Sequence, residues 1–159
     1  MKKLALLITV ITVQCSILNA QETKKENAQQ QLATAIQQQR YIFNAQSASP
    51  TGGGTRQLTS EYNFKVVKDS VQSYLPYFGR AYAAPMPSDD GGIKFTSVTF
   101  DYTIAEGKKG GWTISIKPKD ANDVREVTIS ISKNGYGTVQ VISNTRQPIS
   151  FYGQVNPLN

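Results

Sequence analysis

From residue 41 onward apolar and polar positions alternate with a period of two, and the alternation is broken at short intervals by Gly, Pro, Asn and Asp. That is the pattern of half-buried strands joined by turns. Tyr41, Phe43 and Ala45 open the first strand, which reaches Pro50 before Thr51-Gly52-Gly53-Gly54-Thr55 breaks the chain. Tyr62, Phe64 and Val66 alternate next and end at the turn Lys68-Asp69-Ser70. A third extended segment runs from Val71 to about Tyr82. Pro76 lies within it and lacks an N–H for a ladder, which predicts an edge strand, a start after the proline, or a bulge. Pro85, Pro87, Gly91 and Gly92 then mark a loop. Ile93 and Phe95 resume the alternation, but Val98, Phe100 and Tyr102 fall one residue out of phase. A β-bulge near Thr96-Ser97 would return them to a common face.

The second half is plainer. Trp112, Ile114 and Ile116 form one strand, Val127, Ile129 and Ile131 the next, Val139 and Val141 a third, and Ile149, Phe151 and Val155 a fourth. The breaks fall at 107–111, at Asp120 to Asp123, at Asn134-Gly135 and at Asn144-Thr145. Asn134-Gly135 is a hairpin signal because both residues tolerate positive φ. Ahead of all the strands, Glu26 to Arg40 is rich in helix formers and free of Gly and Pro, with Ala28, Leu32, Ala35 and Ile36 on one narrow stripe. The remainder of that segment's surface is glutamine and asparagine, which suits a helix laid on the domain, a polar spacer, or a partner-binding helix.

About eight strands with short sequential connections favour antiparallel neighbours, and a meander of that size must close or be covered on its apolar face. The expected fold is mainly β: a lipocalin-like barrel or strongly curved sheet with one N-terminal helix, the alternative being a two-sheet sandwich. The expected organisation is a signal peptide over 1–20, a helix or spacer over 21–40, and a single β-rich domain over 41–159.

The leader follows from Lys2-Lys3, the apolar run Leu4 to Val13 and the small residue Ala20. Its apolar run is well short of the roughly 20 residues a bilayer-spanning helix needs, so no transmembrane segment is expected. Cys15 raises lipid attachment, but the long polar Gln14 before it is a poor cleavage site, and cleavage near Ala20 would remove both. The protein is accordingly expected to be exported, to the periplasm or beyond. Loss of Lys2 and Lys3 takes the formal charge from +6 to +4, with 15 basic and 11 acidic residues remaining. Basic residues occur in runs no longer than two, so nucleic acid is not an expected partner. With its one cysteine removed the mature chain forms no disulfide, and its stability rests on packing.

There is no histidine. Zinc and copper sites normally use histidine or cysteine, and Ser-His-Asp and Cys-His catalysis require it. Gly52-Gly53-Gly54 lacks the strand-and-helix context of a phosphate loop. Asp89-Asp90 and Asp120 to Asp123 lack EF-hand spacing and read as turns. No metal or other cofactor is expected. The enzymatic option left is a carboxylate pair as in glycoside hydrolysis, drawn from Glu61, Asp69, Asp101, Glu106 and Glu126, and the chain is expected not to be an enzyme. The densest unusual segment is Leu75 to Pro85, LPYFGRAYAAP. Its Tyr77, Phe78, Arg80 and Tyr82 are the candidate ligand-binding residues, since aromatics with one charged group make a serviceable binding surface. The competing reading places Leu75, Phe78 and Tyr82 in the core. Arg146 and Tyr152-Gly153 pose the same choice.

That segment, with Gly92-Ile93-Lys94-Phe95 and Ser150-Phe151-Tyr152-Gly153, resembles the domain of unknown function 4251 family, secreted proteins of Bacteroides-type bacteria. The resemblance runs from about Phe43 to Val155 and implies export and a β-rich domain, with no reaction, ligand or catalytic residue to carry over. Some members of that family resemble lipoproteins, whereas Gln14 sets Cys15 apart from such a site. The functional expectation is a non-catalytic binding module for a small or extended ligand, with a structural or interaction protein of the cell envelope as the alternative and a carboxylate-based hydrolase as the third option.

Overall fold

The computed structural model describes residues 25–82, 91–107 and 110–158. The leader expected over 1–20, with Cys15 and the cleavage point at Ala20, lies outside them. Among the described residues one helix, α1 (25–37), precedes nine strands. These are β1 (Tyr41–Pro50), β2 (Arg56–Val67), β3 (Ser70–Leu75), β4 (Ile93–Ser97), β5 (Phe100–Glu106), β6 (Trp112–Pro118), β7 (Val124–Ile131), β8 (Tyr136–Ser143) and β9 (Ile149–Pro157). They form one antiparallel sheet in the order β4-β3-β2-β1-β9-β8-β7-β6-β5. The first and last strands pair at its centre, and β4 and β5, neighbours in sequence, lie at its two opposite edges.

That order dictates the shape. Nine strands laid flat, at about 4.8 Å per gap, would hold their edges roughly 38 Å apart. From Ser97 to Phe100 the chain can span only about 11 Å. The sheet therefore curls until its edges meet, giving a nearly closed barrel in place of the two-sheet sandwich. At the meeting point the Asp120 carboxylate accepts from the Ser97 hydroxyl and from the backbone N–H groups of Val98 (2.9 Å) and Thr99 (3.2 Å). The Lys119 N–H donates to the Thr99 carbonyl at 2.8 Å. These donors, Ser97 foremost, hold the Asp120 carboxyl below the ordinary carboxylate range. The phase change expected as a bulge within one strand is thus a corner between two. Ile93, Phe95 and Ser97 face inward before it, and Phe100 and Tyr102 after it.

β3 likewise ends at Leu75, immediately before Pro76, and the chain to Tyr82 is irregular, since proline cannot continue a ladder. Asn134-Gly135 does make a hairpin, but only Gly135 takes positive φ (81°). The Gly135 N–H donates to the Ser132 carbonyl (3.0 Å) and the Ser132 N–H to the Tyr136 carbonyl (2.8 Å). This is a three-residue loop ending in a left-handed glycine.

The interior is filled. Tyr41, Phe43, Phe64, Leu75, Ile114, Ile116, Ile129 and Phe151 are each 0% exposed, so no water-sized space touches them. Each such side chain contributes roughly 1.5–3 kcal/mol by leaving water. Tyr41 on β1 reaches across to Tyr102 on β5, with hydroxyls 3.3 Å apart. Burial, then the neighbouring Tyr102, pushes the Tyr41 phenol well above its usual value. Leu32, Ala35 and Ile36 of α1 join this core, where β8 begins and β9 ends. Ala28, expected on the same stripe, is exposed and lines a cleft beside the 132–135 turn. α1 ends in a Schellman motif: the Arg40 N–H donates to the Ala35 carbonyl (2.8 Å) and the Gln39 N–H to Ile36 (3.1 Å), with Gln39 at φ 54°.

Gln39 occupies the left-handed position usually held by glycine, so Gln39→Gly is expected to raise stability by up to about 1 kcal/mol, read from urea denaturation midpoints. A Cβ at Gly153 would lie 2.0 Å from the Asn44 carbonyl oxygen on the paired strand β1. Gly153→Ala is expected to destabilise by about 1–3 kcal/mol through overpacking. An unchanged midpoint would contradict the β1–β9 register.

Candidate functional site

The four residues singled out in the Leu75 to Pro85 segment lie beside the β8–β9 connection. Tyr77 is half-buried, its phenol oxygen 2.8 Å from the Arg80 carbonyl and 3.0 Å from that of Gln147. Burial, outweighing the bond to Gln147 and the charge of Arg146, raises its pKa. Phe78 is exposed, with the Arg56 guanidinium 5.1 Å from its ring centre. Arg80 is exposed and its carbonyl accepts from the Gln147 N–H at 3.0 Å. Tyr82 is 73% exposed, and its N–H donates to Thr145 at 2.7 Å. Arg80 and Tyr82 thus meet 145–147 through their backbones and Tyr77 through its hydroxyl, while Phe78 lies against Arg56.

The same stretch meets Arg146, through the Tyr77 ring and the Ala81–Arg146 backbone bridge. Its Nε lies 3.0 Å from the Asp123 carboxylate, and one terminal nitrogen donates to the carbonyls of Gly91 (2.6 Å) and Gly92 (3.1 Å). Its guanidinium carbon stands 5.3 Å from the centre of the Tyr77 ring. Asp123 also accepts from the hydroxyls of Ser143 (2.7 Å) and Thr145. One side chain thereby ties the entries to β4 and β7 and the irregular chain after β3 to the β8–β9 connection.

The expected carboxylates lie on β2, β5, β7 and the β2–β3 turn. Glu61 is exposed on β2 and Asp69 sits in the β2–β3 turn. Asp101 and Glu106 lie near opposite ends of β5, and Asp101 pairs with Lys119 at 2.6 Å. Glu126 accepts from the Ser115 hydroxyl at 2.7 Å. Among the described residues no three His, Cys, Asp or Glu side chains cluster as a metal site would require.

At the far end of β8 from Arg146, the outer face of the barrel carries a broad cleft of about 840 Å³. It is bounded by the β5–β6 turn at Gly107 and Gly111, by the 132–135 turn, and by Lys25 and Gln29 of α1. Gln29 is held there by a 3.2 Å bond to Asn134. Thr113, Ser130 and Thr138, outward on consecutive strands, form the floor, and Trp112, on the inward row of β6, packs half-buried against the core at the cleft's margin. Across the opposite side lie Tyr136 and Tyr152, which are 47% and 49% exposed. Their planes differ by 8° and their centroids are 6.2 Å apart, so the rings are laterally offset and both keep faces open.

Two Tyr-Gly steps place them. Gly137 and Gly153 face inward as partners on β8 and β9, so the tyrosine before each must face outward. Sequence reasoning noted Tyr152-Gly153 but missed its match in Tyr136-Gly137. The repeated dipeptide was the available signal, and only the β8–β9 pairing turns it into a site.

Fold and site together define a filled, helix-capped antiparallel barrel with an aromatic cleft on its outer wall. The chain belongs to the family described as domain of unknown function (DUF4251), whose model matches residues 23–155. The match thus begins about twenty residues before Phe43 and takes in α1, in keeping with Leu32 and Ile36 as core residues. A solved structure of a DUF4251 family protein from Bacteroides eggerthii is similar in fold, with a TM-score of 0.60 at 16% identity, covering 82% of this chain and 87% of that one. The comparison with curated proteins finds no match.

Partial burial alone would raise the Asp123 pKa, but Thr145, Ser143 and Arg146 together hold it below the ordinary carboxylate value. A carboxyl more acidic when folded stabilises fully above its unfolded pKa of about 3.9. That contribution is lost as pH falls through the folded value. Asp123→Asn is therefore expected to be less stable than the wild type at pH 7, with the gap narrowing below about pH 4. Urea midpoints across this range check it, and a gap that stays constant would contradict the assignment.

Proposed function

We propose that this protein is a non-catalytic binding module of the cell envelope that holds its ligand on the outside of the barrel, in the Tyr136–Tyr152 cleft. The observation that carries the reading is the contrast between the two faces of the sheet. Inside, the large side chains of most strands leave no water-sized space. Outside, two near-parallel tyrosines expose about half their surface beside uncharged hydroxyl and amide groups. Concave surfaces that combine aromatic rings with a few convergent polar groups are the common form of a ligand site. The exported location is supported by Lys2-Lys3, the apolar run Leu4 to Val13 and Ala20.

The envelope-interaction reading has one observation of its own. On β5, at the sheet edge, Phe100 and Tyr102 are only half-buried and Ile104 is 44% exposed. An edge strand with uncovered apolar side chains can receive another chain.

Calorimetric titration with glycan, peptide and lipid-vesicle probes is expected to find one class that binds. Tyr136→Ala with Tyr152→Ala is expected to weaken that class by at least about tenfold, as for aromatic anchors at binding surfaces. The barrel's circular dichroism should not change. A ligand that binds the double variant as tightly as the wild type would refute the cleft.

A further inference from the structure

Resting on that reading of the cleft, we propose that its ligand is a segment of acidic polysaccharide, with sugar rings on the two tyrosine faces and carboxylate or sulfate groups against Lys25 and Lys133. Charge is the first argument. Among the described residues, the charged side chains that line the cleft are Lys25 and Lys133, both exposed, with no aspartate or glutamate beside them. Carboxylates are present elsewhere on the outer face, at Asp101 and Glu126. A concavity of one sign concentrates ligands of the other.

The remaining wall chemistry narrows the class. A sugar ring has an apolar C–H face and a rim of hydroxyls. The offset parallel rings of Tyr136 and Tyr152 present two aromatic faces to such C–H groups. Gln29, Asn134 and the floor hydroxyls supply neutral donors and acceptors for the rim. An acyl chain would need an enclosed apolar well, and this cleft is wide and open with polar groups across its floor. Nucleic acid shares the stacking and the charge, but binding it rests on a row of cations along a phosphate backbone. Among the described residues the cleft has two lysines and no arginine.

Electrophoresis of the intact protein through gels containing polygalacturonate, chondroitin sulfate or dextran tests this, with single-stranded DNA as competitor. At least one acidic polymer is expected to retard the protein far more than neutral dextran does, and rising ionic strength should weaken that retardation. Lys25→Gln with Lys133→Gln should weaken it by about tenfold or more, and Tyr136→Ala with Tyr152→Ala should abolish it. Unchanged circular dichroism in the lysine variant shows that the barrel is intact. Equal retardation by dextran, still abolished by the tyrosine substitutions, overturns the acidic class and leaves the cleft standing. Retardation that survives those substitutions overturns both. Displacement of the polymer by single-stranded DNA at lower concentration overturns the saccharide assignment, and so does the absence of retardation by every polymer.

Discussion

A two-residue connection between opposite edges of a nine-stranded sheet is the constraint on which this molecule depends. Val98 and Thr99 separate β4 from β5, and nothing so short can join the edges of a flat sheet. Curvature is therefore compulsory, and the inward faces of all nine strands must share one interior. Asp120 makes the corner durable by accepting from Ser97, Val98 and Thr99 together, which uses backbone donors that the ladders cannot reach there.

Closure on this scale decides where function can reside. Phe43, Phe64, Phe151 and the isoleucines of β6, β7 and β9 occupy the enclosed volume, and Tyr41 and Tyr102 meet across it. The two ends of the barrel are then specialised differently. At one, Arg146 and Asp123 fasten the irregular chain after β3 and the entry to β4 onto the β8–β9 connection. At the other, α1 and two hairpin turns frame an open cleft. A buttress and a receptive surface about a strand's length apart can be altered independently, because β8 between them is locked into the sheet on both sides.

Alternation made most of the strands legible, since a residue's neighbours two positions away lie on its own face whatever the rest of the chain does. The helical period likewise placed Leu32, Ala35 and Ile36 on the buried side of α1, while Ala28 on the same stripe is exposed. Alternation failed where local pattern and long-range geometry diverge. The phase slip at Val98 reads equally as a bulge or a corner, and the choice rests on which strands flank it in space. The dense aromatic run Leu75 to Pro85 read as a ligand surface or as core, and the structure adds that Tyr77, Arg80 and Tyr82 bond to the β8–β9 connection while Phe78 and Tyr82 stay exposed.

The amino-acid order alone established a mainly β domain and the inward residues of most of its strands. Each of these follows from composition or from a period of two or 3.6, and such signals are complete within a few residues. Tertiary structure decided that β1 pairs with β9, that β4 and β5 close the barrel, and that Tyr136 and Tyr152, sixteen positions apart, share one surface. It also turned Arg146 from an isolated cation into the bond between four segments. Those relations depend on strand pairing between residues far apart in the chain, and no local window of sequence contains it.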